Sequence, residues 1–162
     1  MAIIAPEDFR EIMRHWAAGV TVVTSCHDGS IHGCTANSFT SVSLTPPLVA
    51  ISLAKATQTY QMIKQSKVFA VNILGEDQQA ISAKFAGHAA DGHDRFQDER
   101  FHTEATGSPL IDDSIAFADC RLISETDVGM NVILIGMVEA GRVQNLKPPL
   151  IYSDRQYWKL AQ

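Results

Sequence analysis

Residues 33–53 read GCTANSFTSVSLTPPLVAISL, a stretch that opens on hydroxyls and one amide and closes on a continuous apolar run. It reads as two strands, "NSFTSVSL" and "LVAISL", separated by "TPP", whose prolines cannot sit inside a central ladder. Core strands seldom carry so many small polar groups ahead of them. Thr35, Asn37, Ser38, Thr40 and Ser41 therefore need partners.

Two readings of those groups stay open. Serine and threonine often hydrogen-bond across a strand pair, which would make them purely structural. Alternatively, Gly33 permits close backbone approach of a flat ligand and Asn37 offers both a donor and an acceptor. Small hydroxyls and open backbone amides suit the pyrimidine edge of a flavin, which alternates acceptors and donors. The downstream "SLAKATQT" extends the second reading. Lys55, followed by Thr57 and Thr59 at the start of a helix, makes a seat for a phosphate, although Thr57 also serves as an ordinary N-cap. Lys84, beside Phe85, is a second candidate charge, with a solvated lysine at a helix end as its plain alternative.

Upstream, Pro6 with Glu7 and Asp8 starts a helix whose apolar face is Phe9, Ile12, Met13, Trp16 and Ala17, and Gly19 stops it. "VTVVTSC", the turn "HDGS" and "IHGCT" form a hairpin. Downstream, "TQTYQMIKQS" is a short helix with Tyr60 and Ile63 inward, "KVFAVNIL" a buried strand, and "EDQQAISAKFA" a helix with its acids first and Lys84 in its last turn. From Gly87 to Ser108 the pattern dissolves into a polar loop longer than structural loops usually run, and such loops tend to be functional or mobile. "IAFADCRLISET", "NVILIGMVEAGRV" and "PLIYSDRQYWKL" close the chain as strands. About seven strands and three short helices, with tight turns between consecutive strands, favour an antiparallel barrel.

The 162 residues suit one domain, 1–162, large enough to hold together without disulfide or metal. A net charge of −5 and the lack of a Lys/Arg stripe argue against nucleic acid. No apolar run approaches the ~18 residues that span a bilayer, and "MAIIAPEDFR" lacks a signal peptide's basic start. Cys26, Cys34 and Cys120 are odd in number and form no CxxC pair, which reads as reduced thiols in the cytoplasm. His88, Asp91, His93 and Asp94, like His27 and His32, have ligand chemistry but no zinc spacing, so no metal is expected. There is no GxSxG elbow and no GxGxxG, so any dinucleotide must be held in another way. Cys34 reads as a packing residue.

The chain resembles the short-chain flavin reductases, the small reductase components of two-component flavin-dependent monooxygenases. The likeness runs through "FREIMRHWAAGVTVVT", the 33–53 stretch, "FAVNIL", "DQQAISAKFA", "DRF", "GSPLI", "DCRLI", "IGMVEAG" and the terminal "PLIY…Y". It implies a mainly β fold, an antiparallel Greek-key split β-barrel with a few short helices, the FMN-binding split barrel. It implies an NAD(P)H:flavin oxidoreductase that is a homodimer, moves hydride from a nicotinamide to FMN or FAD, and supplies reduced flavin to a partner oxygenase. Carried over by position, Thr35, Ala36, Asn37 and Ser38 would line the isoalloxazine. Ser52, Leu53, Ala54 and Lys55 would follow the ribityl chain, with Thr57, Thr59, Lys84 and Phe85 near the phosphate or outer end. Gly129, Met130, Asn131 and Tyr157 complete the cofactor set, and no side chain need be catalytic. Two departures stand out. Cys34 replaces a methionine, and Gly129-Met130-Asn131 replaces the family's Gly-Asp-His turn by the nicotinamide site. Asn131 can hydrogen-bond a carboxamide but carries no charge, so an altered nicotinamide preference or rate is expected. A tightly bound FMN electron carrier, and a reductase of some other ring substrate, are the alternatives.

Overall fold

The computed structural model describes residues 3–87 and 94–160. Helix α1 (Pro6–Arg14) starts as its sequence directs, with proline in the first turn, Glu7 and Asp8 at the positive end and Arg14 at the other. It stops short of Trp16 because Ala18–Gly19 leaves as a short strand, β1. No residue of α1 is buried: Phe9, Ile12, Met13 and, beyond its end, Trp16 (68% exposed) face outward. The apolar stripe is real, but it is not part of this chain's core.

Strands β2 (Thr21–His27) and β3 (Ser30–Ala36) form the expected hairpin. Asp28 and Gly29 both take positive φ, 47° and 77°, as a two-residue turn that follows the strands' twist requires. The 33–53 stretch supplies the end of β3, then β4 (Phe39–Leu44) and β5 (Pro47–Ala54), with a cis Thr45–Pro46 bond between them. Helix α2 (Gln58–Ser66) begins at Thr57, whose hydroxyl accepts from the Tyr60 N–H. Strand β6 (Val68–Ile73) leads to α3 (Gln79–Ala86). Here the expectation of acids in the first helical turn fails: Glu76 and Asp77 precede α3, and Asp77 pairs with Lys147 at 2.7 Å. That pairing holds the Asp77 carboxyl below its usual range.

The short strand β7 (Phe101–His102), inside the polar loop, pairs with β8 (Leu110–Ile111) just after its end. Between and at these strands the chain is pinned: buried Asp119 accepts from the Thr106 N–H at 2.9 Å, and Asn72 accepts from the Ile111 N–H at 2.8 Å. Strands β9 (Ala116–Val128) and β10 (Asn131–Val143) make a long hairpin turning at Gly129. The final segment is not one strand. Asp154 and Arg155, both at positive φ, fold it into a hairpin of β11 (Ile151–Ser153) and β12 (Gln156–Trp158), which also pairs with β1.

The main sheet has seven strands in the order β3-β2-β6-β9-β10-β5-β4, every neighbouring pair antiparallel. Its two edges, β3 and β4, are consecutive in the chain, so the curled sheet comes round on itself without zipping shut. Ser38, in the crossing, stitches back to β5: its carbonyl accepts from the Ser52 N–H at 3.1 Å and its hydroxyl donates to the Ser52 carbonyl at 2.6 Å. The inside is filled by Val23, Ile51, Leu53, Phe69, Val71, Val132 and Leu134, with Tyr60 and Ile63 of α2 packed among them. A second cluster of Val20, Val22, Leu74, Phe85, Phe96, Ile111 and Leu150 lies on the other face under α3. Because β2 is covered on both faces, Thr21 to Ser25 are buried without alternation, the buried Thr and Ser hydroxyls satisfied by backbone carbonyls.

Gly136 marks an irregularity in the β9–β10 register, and the Phe69 ring presses into the space a side chain there would need. A Cβ at position 136 would sit 2.4 Å from Phe69 Cζ. Gly136→Ala is expected to cost ~1–3 kcal/mol by overpacking, read as a lower urea midpoint with an unchanged slope.

Candidate functional site

The open seam between the two sheet edges is where a cavity of about 550 Å³ lies. That volume falls in the range of small-molecule sites. Strand β3 contributes His32, Cys34, Thr35 and Ala36, and the crossing contributes Asn37 and Ser38. The end of β5 adds Ser52, Leu53 and Ala54; the start of α2 adds Thr57, Gln58 and Thr59. The end of α3 supplies Phe85, Ala86 and Gly87, and Arg95 and Asn131 close the ring of residues. A second chamber of about 290 Å³ adjoins it, sharing Thr35, Ala36, Asn37 and Ala86 and walled on its far side by Val20, Ser82, Tyr152 and Tyr157.

Eleven candidates read from the sequence thus meet in one cleft: Thr35, Ala36, Asn37, Ser38, Ser52, Leu53, Ala54, Thr57, Thr59, Phe85 and Asn131. Tyr157 lines the neighbouring chamber, where its hydroxyl lies 2.8 Å from Ser82 Oγ. Lys55 and Lys84 are not among the lining residues. Lys55 reaches Asp127 at 3.2 Å, and Lys84 reaches Glu99 at 2.9 Å as well as the Gln97 carbonyl. Gly129 and Met130 stand at the tip of the β9–β10 hairpin, with Met130 86% exposed.

Arg95 and His32 also line the cleft, where the sequence reading had not placed them. The Arg95 guanidinium donates to the Gly33 carbonyl at 2.8 Å, the Phe85 carbonyl at 3.2 Å and the Gly87 carbonyl. It thereby ties the carboxyl end of α3, the negative end of its dipole, to β3. Among the described residues no carboxylate pairs with it. His32 Nδ1 lies 2.8 Å from Thr59 Oγ1, and burial, then the Arg95 charge, holds the ring below the ordinary histidine range.

The hydroxyls turn out to divide between the two readings. Thr35 donates to the Ser82 carbonyl at 2.6 Å and Ser38 to Ser52, so both have structural partners while still facing the cleft. Thr40 and Ser41 are exposed on β4 and take no part in the cavity. Gly33 is small for a different reason than ligand approach: a Cβ there would sit 3.0 Å from the Phe85 ring and 3.1 Å from Thr24. Cys34 packs against the barrel core, and burial pushes its thiol up, as it pushes Cys120 up to about 12. Neither is a nucleophile at neutral pH.

Among the described residues no three His, Cys, Asp or Glu side chains gather as a metal group. His88, Asp91 and His93 lie outside the described residues. No described helix is long and apolar enough to cross a membrane.

The described lining holds no carboxylate. It offers amides at Asn37 and Asn131, hydroxyls at Ser38 and Ser52, a fixed cation, and the first N–H groups of α2. Groups of these kinds can hydrogen-bond a planar polar ring and attract an anion. In the described lining the group able to exchange a proton near neutral pH is His32, whose ring is held below the ordinary histidine range by burial and the Arg95 charge.

The family model for the flavin reductase like domain matches residues 13–161. The HsaB reductase subunit of a flavin-dependent monooxygenase from Mycobacterium tuberculosis is 35% identical over 158 residues, which cover 96% of this chain and 83% of the relative. The NADH:riboflavin 5'-phosphate oxidoreductase of Streptomyces pristinaespiralis is 36% identical over 157 residues, 95% of this chain and 88% of the relative. Among solved structures, the NADH:FAD oxidoreductase SgcE6 of Streptomyces globisporus C-1027 matches with a TM-score of 0.91 at 31% identity, covering 100% of this chain and 99% of that one.

Proposed function

Because the chain belongs to the flavin reductase like domain family, we propose that it transfers hydride from a nicotinamide nucleotide to FMN or FAD held in the seam cleft. The reduced flavin then serves a flavin-dependent monooxygenase component. The observation that carries this reading is the cleft itself: a family match across residues 13–161 and a cavity of about 550 Å³ whose walls suit a flat polar ring and an anion.

The redox chemistry is supplied by flavin and nicotinamide when they are bound. The chain's own work is positioning. Asn37, Ser38 and Ser52 offer hydrogen bonds along the edge of the ring, and Ala36 and Ala54 leave room for its plane. Arg95 and the Thr57–Thr59 end of α2 face the phosphate end. The smaller chamber beside Thr35–Asn37 gives the second reactant an approach, with Tyr157 held by Ser82 on its wall. Bringing the rings into contact and excluding water is worth several orders of magnitude in rate without any proton-transfer residue.

Asn131 lines the main cleft with an amide where the family resemblance implies an imidazole. The expected result is reductase activity with a changed nicotinamide preference or rate. Flavin-dependent oxidation of NADH and NADPH in steady state tests it, and no oxidation of either would refute it. A protein that stays yellow when NADH is added under nitrogen would instead be an electron carrier.

The exposed apolar face of α1, with Val128 and Met130 exposed on the hairpin, supports a homodimer. Three unpaired cysteines agree with a reducing cytoplasmic setting. Ile12→Glu places a charge in that face and is expected to shift the protein to a monomer in sedimentation; an unshifted dimer would place the interface elsewhere.

A further inference from the structure

His32 has metal-ligand chemistry without metal-ligand spacing, and its surroundings give it another task. It shares a face of β3 with Cys34 and Ala36, and all three line the cleft. Its Nδ1 is engaged by the hydroxyl of Thr59, which is fully buried. Nε2 has no partner among the described residues and is the nitrogen left for a ligand. Arg95 lines the same cavity, held by three backbone carbonyls.

The groups facing the imidazole are therefore the Thr59 hydroxyl from α2, the Arg95 guanidinium from the loop, and Cys34 on its own strand, whose thiol burial keeps neutral. No carboxylate in the described lining offsets them. Burial and the fixed cation thus both favour the neutral imidazole. A ligand bearing two negative charges close to Nε2 reverses that balance, because it favours imidazolium and gains a charge-assisted hydrogen bond from it.

Resting on the flavin reading above, we infer that His32 is the residue through which this cleft prefers a flavin ending in a free phosphomonoester, as in FMN, over one whose phosphate is esterified, as in FAD. A phosphomonoester loses its second proton near pH 6 and is a dianion at pH 7.5. A phosphate within a pyrophosphate link has no such second ionisation. With Nδ1 taken by Thr59, the proton that arrives on binding places N–H groups on both ring nitrogens, one toward Thr59 and one toward the phosphate.

The test is calorimetric titration of the full chain with riboflavin, FMN and FAD at pH 7.5, in buffers of different ionisation enthalpy, for the natural protein and His32→Gln. The natural protein is expected to take up a fraction of a proton with FMN and less with FAD. His32→Gln is expected to abolish that uptake and to lower the FMN-to-FAD affinity ratio about tenfold, the loss of one charge-assisted hydrogen bond. An FMN enthalpy independent of buffer in the natural protein would overturn the inference, whatever the variant does. So would an unchanged FMN-to-FAD ratio in a variant that still binds riboflavin. If the natural protein binds none of the three flavins, the proposed function falls too, which separates the two failures.

Discussion

Arg95→Met lowers FMN affinity by roughly a hundredfold and costs a few kcal/mol of stability, because one side chain serves both the ligand and the wall around it. The guanidinium bonds the carbonyls of Gly33, Phe85 and Gly87, so removing it leaves three acceptors without their donor, each worth about 1 kcal/mol. Among the lining residues described it is also the fixed cation. Methionine keeps the bulk and removes both roles. Arg95→Lys separates them: the charge survives, but an ammonium lacks the planar fork that spans these acceptors. Lysine is therefore expected to recover part of the affinity and little of the stability. Flavin fluorescence quenching and a thermal midpoint read the two quantities; an Arg95→Met protein that binds FMN as tightly as the natural one would remove Arg95 from the site.

Phe85→Ala has the largest expected effect on folding. Phe85 is fully buried under α3, meets Phe96 edge-to-face at 5.1 Å and 81°, and lies so close over β3 that Gly33 has no room for a side chain. Truncation leaves a void between helix and sheet and is expected to cost ~3–5 kcal/mol, which lowers the midpoint of a chain this size by roughly 10 °C. The same ring borders the cleft, so flavin affinity falls with it. A midpoint within 2–3 °C of the natural protein's would mean that α3 is not fixed by this contact.

The 33–53 stretch located the seam because its local chemistry is its global role: the prolines end one strand, and the polar run marks the crossing where the sheet fails to close. The Thr57 cap, the β2–β3 turn and the run from Asn131 to Val143 were legible for the same reason, since propensity and position agree. The lysines misled because sequence shows a charge but not its partner. Asp127 is far from Lys55 along the chain, and Glu99 is on the far side of a loop from Lys84. Arg95 carried no periodic signal, and only the folded loop lays it across the end of α3 and β3. Its one trace was the short "DRF" within the family likeness. The face of α1 was legible as apolar, but periodicity defines a stripe without saying what covers it, and among the described residues of this chain nothing buries it.

A crystal structure of the protein soaked with FMN is the most direct measurement of where the ligand sits. The account predicts ring density spanning the seam within hydrogen-bond reach of Asn37, Ser38 and Ser52, with the phosphate beside Arg95 and His32. Density for the flavin elsewhere on the protein, with the seam closed by its own side chains, would contradict it.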